Sequence, residues 1–410
     1  MSTERSLVKS ACLPVLVATV AALACLAVGA WADPLDNWTT TQVSGNYFGL
    51  RSVAYANGRY VAVGGYSDWG VILSSEDGRN WVVRELGGIP GGSCLAFAEA
   101  VIYAGGQFVV VGFWGGTAVS ADGITWSVGN VPSSPADGLY GVTYGNGLYV
   151  AVGGPAASGD LNVFTSADGQ NWAAQHSTSP VNASLGDVAF GAGRFVALGI
   201  NRLGTDDSGH VYTSGDGTNW TRNSISGGSQ VSYCNGRFLI PAGPGVNLLS
   251  GYGTAWAAQA TGVTTLLGKV VYCQGAFLAR AGAYLAASAD GRNWVQYPQW
   301  LPGTSVVVSD GQRLLTVGNN TLPFVPVYAS GYTYLSDPVL AVRMSCGRPP
   351  TLAISGLVGW AYRIDATDAL AVSGANQWQT LTSVQLTNTT CVWTDGANLP
   401  ARFYRVTTGE

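Results

Sequence analysis

One phrase returns along this chain, and it limits the possible folds more than any other feature. Tyr55 to Gly64 reads YANGRYVAVG, followed by YAGGQFVVVG from Tyr103, YGNGLYVAVG from Tyr144 and FGAGRFVALG from Phe190. Looser copies begin at Tyr233 (YCNGRFLIPAG), Tyr272 (YCQGAFLARAG) and Val308 (VSDGQRLLTVG). A chain written this way is a series of supersecondary units, each burying its apolar face against the next copy.

A second phrase closes the first six units: SSEDGRNW ending at Trp81, VSADGITW at Trp126, TSADGQNW at Trp172, TSGDGTNW at Trp220, LSGYGTAW at Trp256 and ASADGRNW at Trp294. The tryptophans are spaced by 45, 46, 48, 36 and 38 residues, which suits four short strands per unit. Asn57-Gly58, Asn146-Gly147, Asn235-Gly236 and Asp310-Gly311 stand between the first two strands, where a tight hairpin needs two residues of positive φ. Asp77-Gly78 and its relatives are expected to turn the second hairpin in the same way. The seventh unit has three strands, through Ser330, but no tryptophan phrase after them. Trp38-Thr39-Thr40, 43 residues before Trp81, can supply the missing strand. The expected fold is therefore all-β: a seven-bladed β-propeller over residues 33–335, closed by the N-terminal strand, which would leave no open edge at the seam.

The S-x-D-G-x-N-W phrase resembles the Asp-box (BNR) turn of sialidases, xyloglucan-active glycosidases and photosystem II assembly factor-like propellers, although these copies are one residue shorter than S-x-D-x-G-x-x-W. The resemblance implies a propeller fold and leaves the activity open. Asp77, Asp122, Asp168, Asp216 and Asp290 are expected to accept backbone N–H bonds within their own turns, since a carboxylate repeated in this way suits architecture, whereas a catalytic group is needed once. The chain lacks the R-I-P motif of sialidases, and no G-x-S-x-G elbow is present. A glycoside hydrolase with its carboxyl pair elsewhere remains the alternative.

The rest of the composition bounds partner and compartment. Net charge is −4 and the only lysines are Lys9 and Lys269, so no basic patch exists for nucleic acid. Arg5 and Lys9 precede an apolar run from Leu13 to Ala30, and Ala30-Trp31-Ala32 forms a cleavage site. Residues 1–32 are thus read as a signal peptide, with a retained membrane anchor or lipidation at Cys25 as alternatives. The mature chain is expected to be secreted, periplasmic or on the cell surface, with no membrane span after cleavage. Cleavage leaves Cys94, Cys234, Cys273, Cys346 and Cys391, an odd number. Cys346 and Cys391 are the expected disulfide, and a Cys234–Cys273 bridge is left open. His176 and His210 are the only histidines, and no cysteine spacing suits a metal, so no cofactor is implied.

Loops between the second and third strands share one face of a propeller, and here they are unequal. The first four units carry Tyr66, Asp68 and Trp69, then Trp114, then Asp160 and Asn162, then Asn201, Arg202, Asp206 and Asp207. Aromatic rings beside amides and carboxylates suit a glycan or protein ligand, and these ten residues are the candidate ligand-binding set. The alternative for Trp69 and Trp114 is packing over the blade tops. Residues 336–410 contain YRIDATDAL, NQWQTLTSV and ARFYRV, which resemble the immunoglobulin-like or fibronectin-like modules of exported bacterial proteins. The resemblance implies a small β-sandwich with Trp360, Trp378 and Trp393 as core aromatics. The expected function is a non-catalytic exported binding protein, with a structural assembly or adhesion factor as a further alternative.

Overall fold

A computed structural model of the chain describes residues 8–9, 38–44, 49–66, 69–84, 95–129, 131, 138–154, 162–175, 184–202, 205–206, 208–228, 230–273, 275–300, 304–311, 313–318, 324–330, 339–343, 351–355, 360–367, 378–386, 390–396 and 403–408. These residues form strands and turns, and no helix occurs among them.

Each repeat unit folds as a four-stranded antiparallel meander. Sheet 1 comprises Gly49–Ala56, Arg59–Tyr66, Trp69–Ser75 and Val82–Arg84. Sheet 2 comprises Ala96–Ala104, Gln107–Phe113, Thr117–Ser120 and Ser127–Val128, and sheet 3 Leu139–Gly145, Leu148–Gly153, Val163–Ser166 and Ala173–Gln175. Sheet 4 comprises Ser184–Gly191, Arg194–Arg202, His210–Ser214 and Thr221–Ser224, with the extra strand Thr205–Asp206 paired to its second strand. Sheets 5 and 6 follow the same order from Ser232–Cys234 to Ala257–Ala260 and from Val271–Cys273 to Val295–Trp300.

Sheet 7 takes Thr304–Ser309, Leu314–Gly318 and Phe324–Ser330 from one end of the repeats and Trp38–Ser44 from the other. The exchanged strand runs antiparallel to Phe324–Ser330 in unbroken register, from Trp38 opposite Ser330 to Ser44 opposite Phe324. Successive sheets touch through their first strands, and sheet 7 touches sheet 1 in the same manner.

The second strands explain how the layers hold together. Val61 to Val63, Val109 to Val111, Val150 to Val152 and Val196 to Leu198 are fully buried on both faces, because each sheet lies between two others. At the seam, Leu50, Tyr60, Ala62 and Leu73 of sheet 1 share one core with Leu315 and Val317 of sheet 7. A Cβ on Gly123 would meet Val61 of the preceding sheet, and one on Gly78 would meet Leu315. The turn of sheet 1 therefore packs on sheet 7 as the turn of sheet 2 packs on sheet 1.

The Asn-Gly hairpins have the expected two positive φ values, 52° and 74° at Asn57-Gly58 and 50° and 76° at Asn146-Gly147. Two expectations about turns are corrected. At the aspartate turns only the glycine is left-handed, for example Gly78 at 68°, because the carboxylate itself organises the loop. At Asp310-Gly311 the aspartate also stays out of the left-handed region: its Oδ1 accepts the Arg313 N–H at 2.6 Å and its Oδ2 accepts the Tyr60 hydroxyl at 2.6 Å across the seam.

Beyond the repeats, Val339–Arg343, Thr351–Ser355 and Thr390–Thr394 form one sheet, and Ala361–Thr367, Gln379–Gln385 and Phe403–Thr408 form another. The two share a core of Leu352, Ile354, Tyr362, Ile364, Ala366, Leu386 and Tyr404. Val8–Lys9, inside the expected leader, pairs at the free edge of Phe403–Thr408. Trp360 packs against the core of sheets 6 and 7 near Trp38, and a Cβ on Gly275 would collide with its ring. This module therefore meets the repeats at the hairpin end of sheet 6. Trp393 packs on the module core as expected, but Trp378 instead lies under Arg405, 4.5 Å from ring centroid to guanidinium carbon. Cys391 is unbridged here, and its expected partner Cys346 lies outside the described residues. Cys234 and Cys273 are free thiols, pushed up to about 11 and about 12 by burial.

Candidate functional site

The two ends of the sheets do different chemistry, and the aspartate end is occupied with its own construction. Asp168 Oδ1 accepts the N–H groups of Gln170 and Asn171 at 2.9 and 2.7 Å and the Ser166 hydroxyl at 2.9 Å. Its Oδ2 accepts the Asn171 side-chain amide at 2.8 Å. Asp77, Asp122, Asp216 and Asp290 repeat the backbone and serine bonds. The N–H of Asn171 and its amide, then the N–H of Gln170, hold the Asp168 carboxyl well below the usual carboxylate range. Asp122, which has Thr125 where other turns have asparagine, is held at about 2, chiefly by the N–H groups of Thr125 and Ile124. In Asp77, Asp168, Asp216 and Asp290 both carboxylate oxygens are engaged in folding the turn, and in Asp122 the Oδ1 is.

At the opposite end, the loops between second and third strands stand beside the beginnings of the first strands. Those first strands share a device absent from the expectations. Buried residues three apart, Leu50 and Val53, Ala98 and Val101, Leu139 and Val142, Leu185 and Val188, face one core, although a regular strand alternates every two. The register accommodates this with a β-bulge after Leu50, Ala98, Leu139 and Leu185. The extra residue is Arg51, Glu99, Tyr140 and Gly186 in turn. The bulges thus set a cation, a carboxylate and a phenol at matching points of sheets 1 to 3.

A continuous row of rings joins them. Phe97, at a second bulge of sheet 2 with φ 44°, lies 4.9 Å under the Arg51 guanidinium and 5.5 Å from Phe113. Phe113 in turn meets Tyr140 edge-on at 6.0 Å. Next to Phe113, Trp114 and Gly115 form a two-residue turn with φ 54° and 73°, closed by the Gly116 N–H to Phe113 O at 3.0 Å and the Gly112 N–H to Gly116 O at 2.8 Å. Trp114 is 51% exposed. A left-handed backbone costs a side chain with a Cβ about 1–2 kcal/mol, so two bulky aromatics held there within one sheet mark a position where folding convenience was overridden. Gly138 makes the crowding possible, since a Cβ there would strike Phe113.

The sequence-derived set is only partly brought into this shelf. Tyr66 and Trp69 pair at the tip of sheet 1, with side chains outside the described residues, as are Asp68, Asp160 and Asp207. Asn162 is buried, its side-chain amide donates to Gly154 O, and its backbone carbonyl accepts from the Gly153 N–H at 3.1 Å, so it clasps its own loop. Asn201 is exposed and paired with Asp206, and Arg202 with Thr205, extending sheet 4 as a narrow ribbon. Arg51, Phe97 and Tyr140 escaped the sequence reading because they lie on first strands; the three-residue spacing of buried positions was the available signal.

Asp187 is another carboxylate near this end, and it is committed internally. It is buried, with Oδ1 2.7 Å from Lys269 Nζ and Oδ2 accepting the Val231 N–H at 3.0 Å, which ties sheets 4, 5 and 6. No cluster of three metal-ligating side chains occurs among the described residues. The shelf as described offers stacking area, one cation and hydrogen-bonding groups.

No family model matches the chain, and no curated protein does. Among solved structures it is similar to the computationally designed Ika8 protein (10% identity over 76% of this chain and 95% of that one, TM-score 0.47). It is similar also to PorZ, an essential bacterial surface component of the type-IX secretion system of Porphyromonas gingivalis (11% identity over 77% of this chain and 45% of that one, TM-score 0.47). A third is the WD40 β-propeller domain of Doa1 (12% identity, 70% and 95%, TM-score 0.46). The repeated four-stranded sheets fit a β-propeller.

Proposed function

We propose that the chain is an exported, non-catalytic seven-bladed β-propeller with a C-terminal immunoglobulin- or fibronectin-like module, and that it binds a glycan or protein ligand through the loop face of blades 1 to 4. The blade count rests on the repeat sheets and on the exchanged strand that joins sheet 7 to sheet 1. Export rests on the apolar leader in the sequence. The binding role rests on one observation above the others: Trp114 is held half-exposed in a left-handed turn that asparagine or glycine would fill with less strain. Rings along Phe97, Phe113, Trp114 and Tyr140 cover the apolar C–H faces of sugars or peptide side chains, and Arg51, Asn201 and the polar loops fix orientation. The C-terminal module, meeting the repeats at the hairpin end, leaves that contact away from the shelf.

The test is a screen of the mature protein against glycan and peptide arrays, repeated with the double variant Trp69→Ala and Trp114→Ala. Retention of a ligand by the parent and its loss in the variant is the expected result. Undiminished retention by the variant removes the shelf as the site.

A further inference from the structure

The C-terminal module carries a cluster that its fold alone does not require. On the strand Ala361–Thr367, Asp365 is 1% exposed and takes two arginines: Arg363 Nε at 3.1 Å on Oδ1 and Arg405 Nε at 3.0 Å on Oδ2. The Thr380 hydroxyl donates to Oδ1 at 2.9 Å. One buried carboxylate is neutralised by one arginine, so among the described side chains of these three strands the second leaves a single positive charge. Arg405 is further fixed by Trp378, whose ring lies 4.5 Å from its guanidinium carbon. Arg363 spends its Nε and, at 3.4 Å, its Nη2 on Asp365, and Arg405 its Nε, while their side chains stay 40% and 27% exposed, which leaves the Nη1/Nη2 end of each guanidinium for a ligand.

Register shows what surrounds them. Arg363 lies opposite Ser383 on one neighbour and Thr407 on the other, Asp365 opposite Thr380 and Arg405, and Ala361 opposite Gln385. Residues directly opposite share a face, so Thr380, Ser383 and Gln385 lie on this side of the sheet with the two arginines. The other side, with Tyr362, Ile364 and Tyr404, is the module core. Thr380, Ser383 and Gln385 are exposed.

From this arrangement we infer that the polar face of the Ala361–Thr367, Gln379–Gln385 and Phe403–Thr408 sheet is a second binding site, for a carboxylate-bearing saccharide. A planar carboxylate matches the guanidinium fork, and its single charge cancels the surplus, which a phosphate dianion would overshoot. The flanking hydroxyls and amides suit sugar hydroxyls along a flat chain. The site is independent of the loop face and stands without it.

The experiment uses the full mature chain and three probes in calorimetric titrations: oligogalacturonate, its fully methyl-esterified form, and oligoglutamate of matched length. Oligogalacturonate is expected to bind, and the ester and the peptide to bind at least about tenfold more weakly, through loss of the charge-assisted pairs or of the hydroxyl contacts. Ser383→Glu places a carboxylate beside Arg363 without touching Asp365, and should weaken binding about tenfold or more with an unchanged melting temperature. Arg363→Lys keeps the charge, removes the fork and should weaken binding similarly. Trp114→Asn should leave this affinity unaltered. Equal affinity for the ester or for oligoglutamate, full affinity in Ser383→Glu, weakening by Trp114→Asn, or no binding of oligogalacturonate would each overturn the assignment.

Discussion

The hairpin end and the loop end of these sheets use the same backbone vocabulary with opposite choices of residue. At the hairpin end, left-handed positions hold Asn57, Asn146 and Asn235, with Gly105 and Ala192 at the same point, each followed by glycine, so all but Ala192 are residues this backbone favours. At the loop end, the same kind of two-residue turn holds Trp114, and a bulge nearby holds Phe97. Where residue and backbone agree, the position is explained by folding. Where they disagree and the side chain remains half-exposed, turn propensity alone does not account for the residue, and the proposed recognition role supplies a reason that can be tested.

The comparison breaks first if the aspartate turns prove dispensable. Asp168→Ala removes two backbone N–H acceptors and the anchor of Ser166 and Asn171, and should cost about 2 kcal/mol, a modest figure because the turn is largely solvated. Ligand retention should be unaffected, since the turn lies at the far end of the sheet from Trp114. The same carboxylates set an acid limit. Their folded-state values lie below the unfolded value, so their contribution is complete above about pH 4 and is lost as the pH falls through the folded values, with Asp122, at about 2, protonating before Asp77, Asp168 and Asp216, which are held lower. Thermal melts should therefore fall steeply below about pH 4, and Asp168→Ala should flatten that slope.

A sharper and somewhat smaller effect is expected at the other end. Trp114→Asn relieves the left-handed strain and should stabilise the protein by about 1 kcal/mol while ligand retention disappears. Denaturant titration measures the first and the ligand screen the second. A destabilised variant would mean that the ring is packing material, and the contrast between the two ends would dissolve.

Much of the architecture was legible because it repeats. The phrase around Tyr55 gives strand boundaries that the sheets match closely, and the missing seventh tryptophan phrase points to Trp38, which pairs with Ser330. The candidate site was less legible, for physical reasons. A bulge leaves composition untouched and shows only as the odd spacing of Leu50 and Val53 or Leu139 and Val142. Asn162 looked like a ligand contact because an amide in a loop has the same letter whether it turns outward or clasps Gly154. The sandwich resemblance puts Trp378 in a core, yet a neighbouring arginine stacked on it decides its place. Pairwise contacts between distant strands carry this information, and no local window contains them.

Sheet 5 offers the finest discrimination, because it has lost the aspartate and kept the turn. Ser250 still accepts the Gly253 N–H at 2.8 Å, but Tyr252, 73% exposed, occupies the aspartate position and Ala255 that of the asparagine. Trp256 Nε1 is buried with no partner, whereas Trp81, Trp172, Trp220 and Trp294 donate to the turn glycine at 2.9 to 3.2 Å. Trp126 in sheet 2, whose turn has Asp122 but lacks the asparagine, is unpartnered too. The asparagine, by bonding the second carboxylate oxygen, therefore tracks with the tryptophan bond more closely than the aspartate does. Tyr252→Asp alone should add only about 0.5 kcal/mol, and Tyr252→Asp with Ala255→Asn about 1 kcal/mol, measured by chemical denaturation. Equal gains from the single and double variants would show that the aspartate suffices and that the asparagine bond adds nothing to the turn.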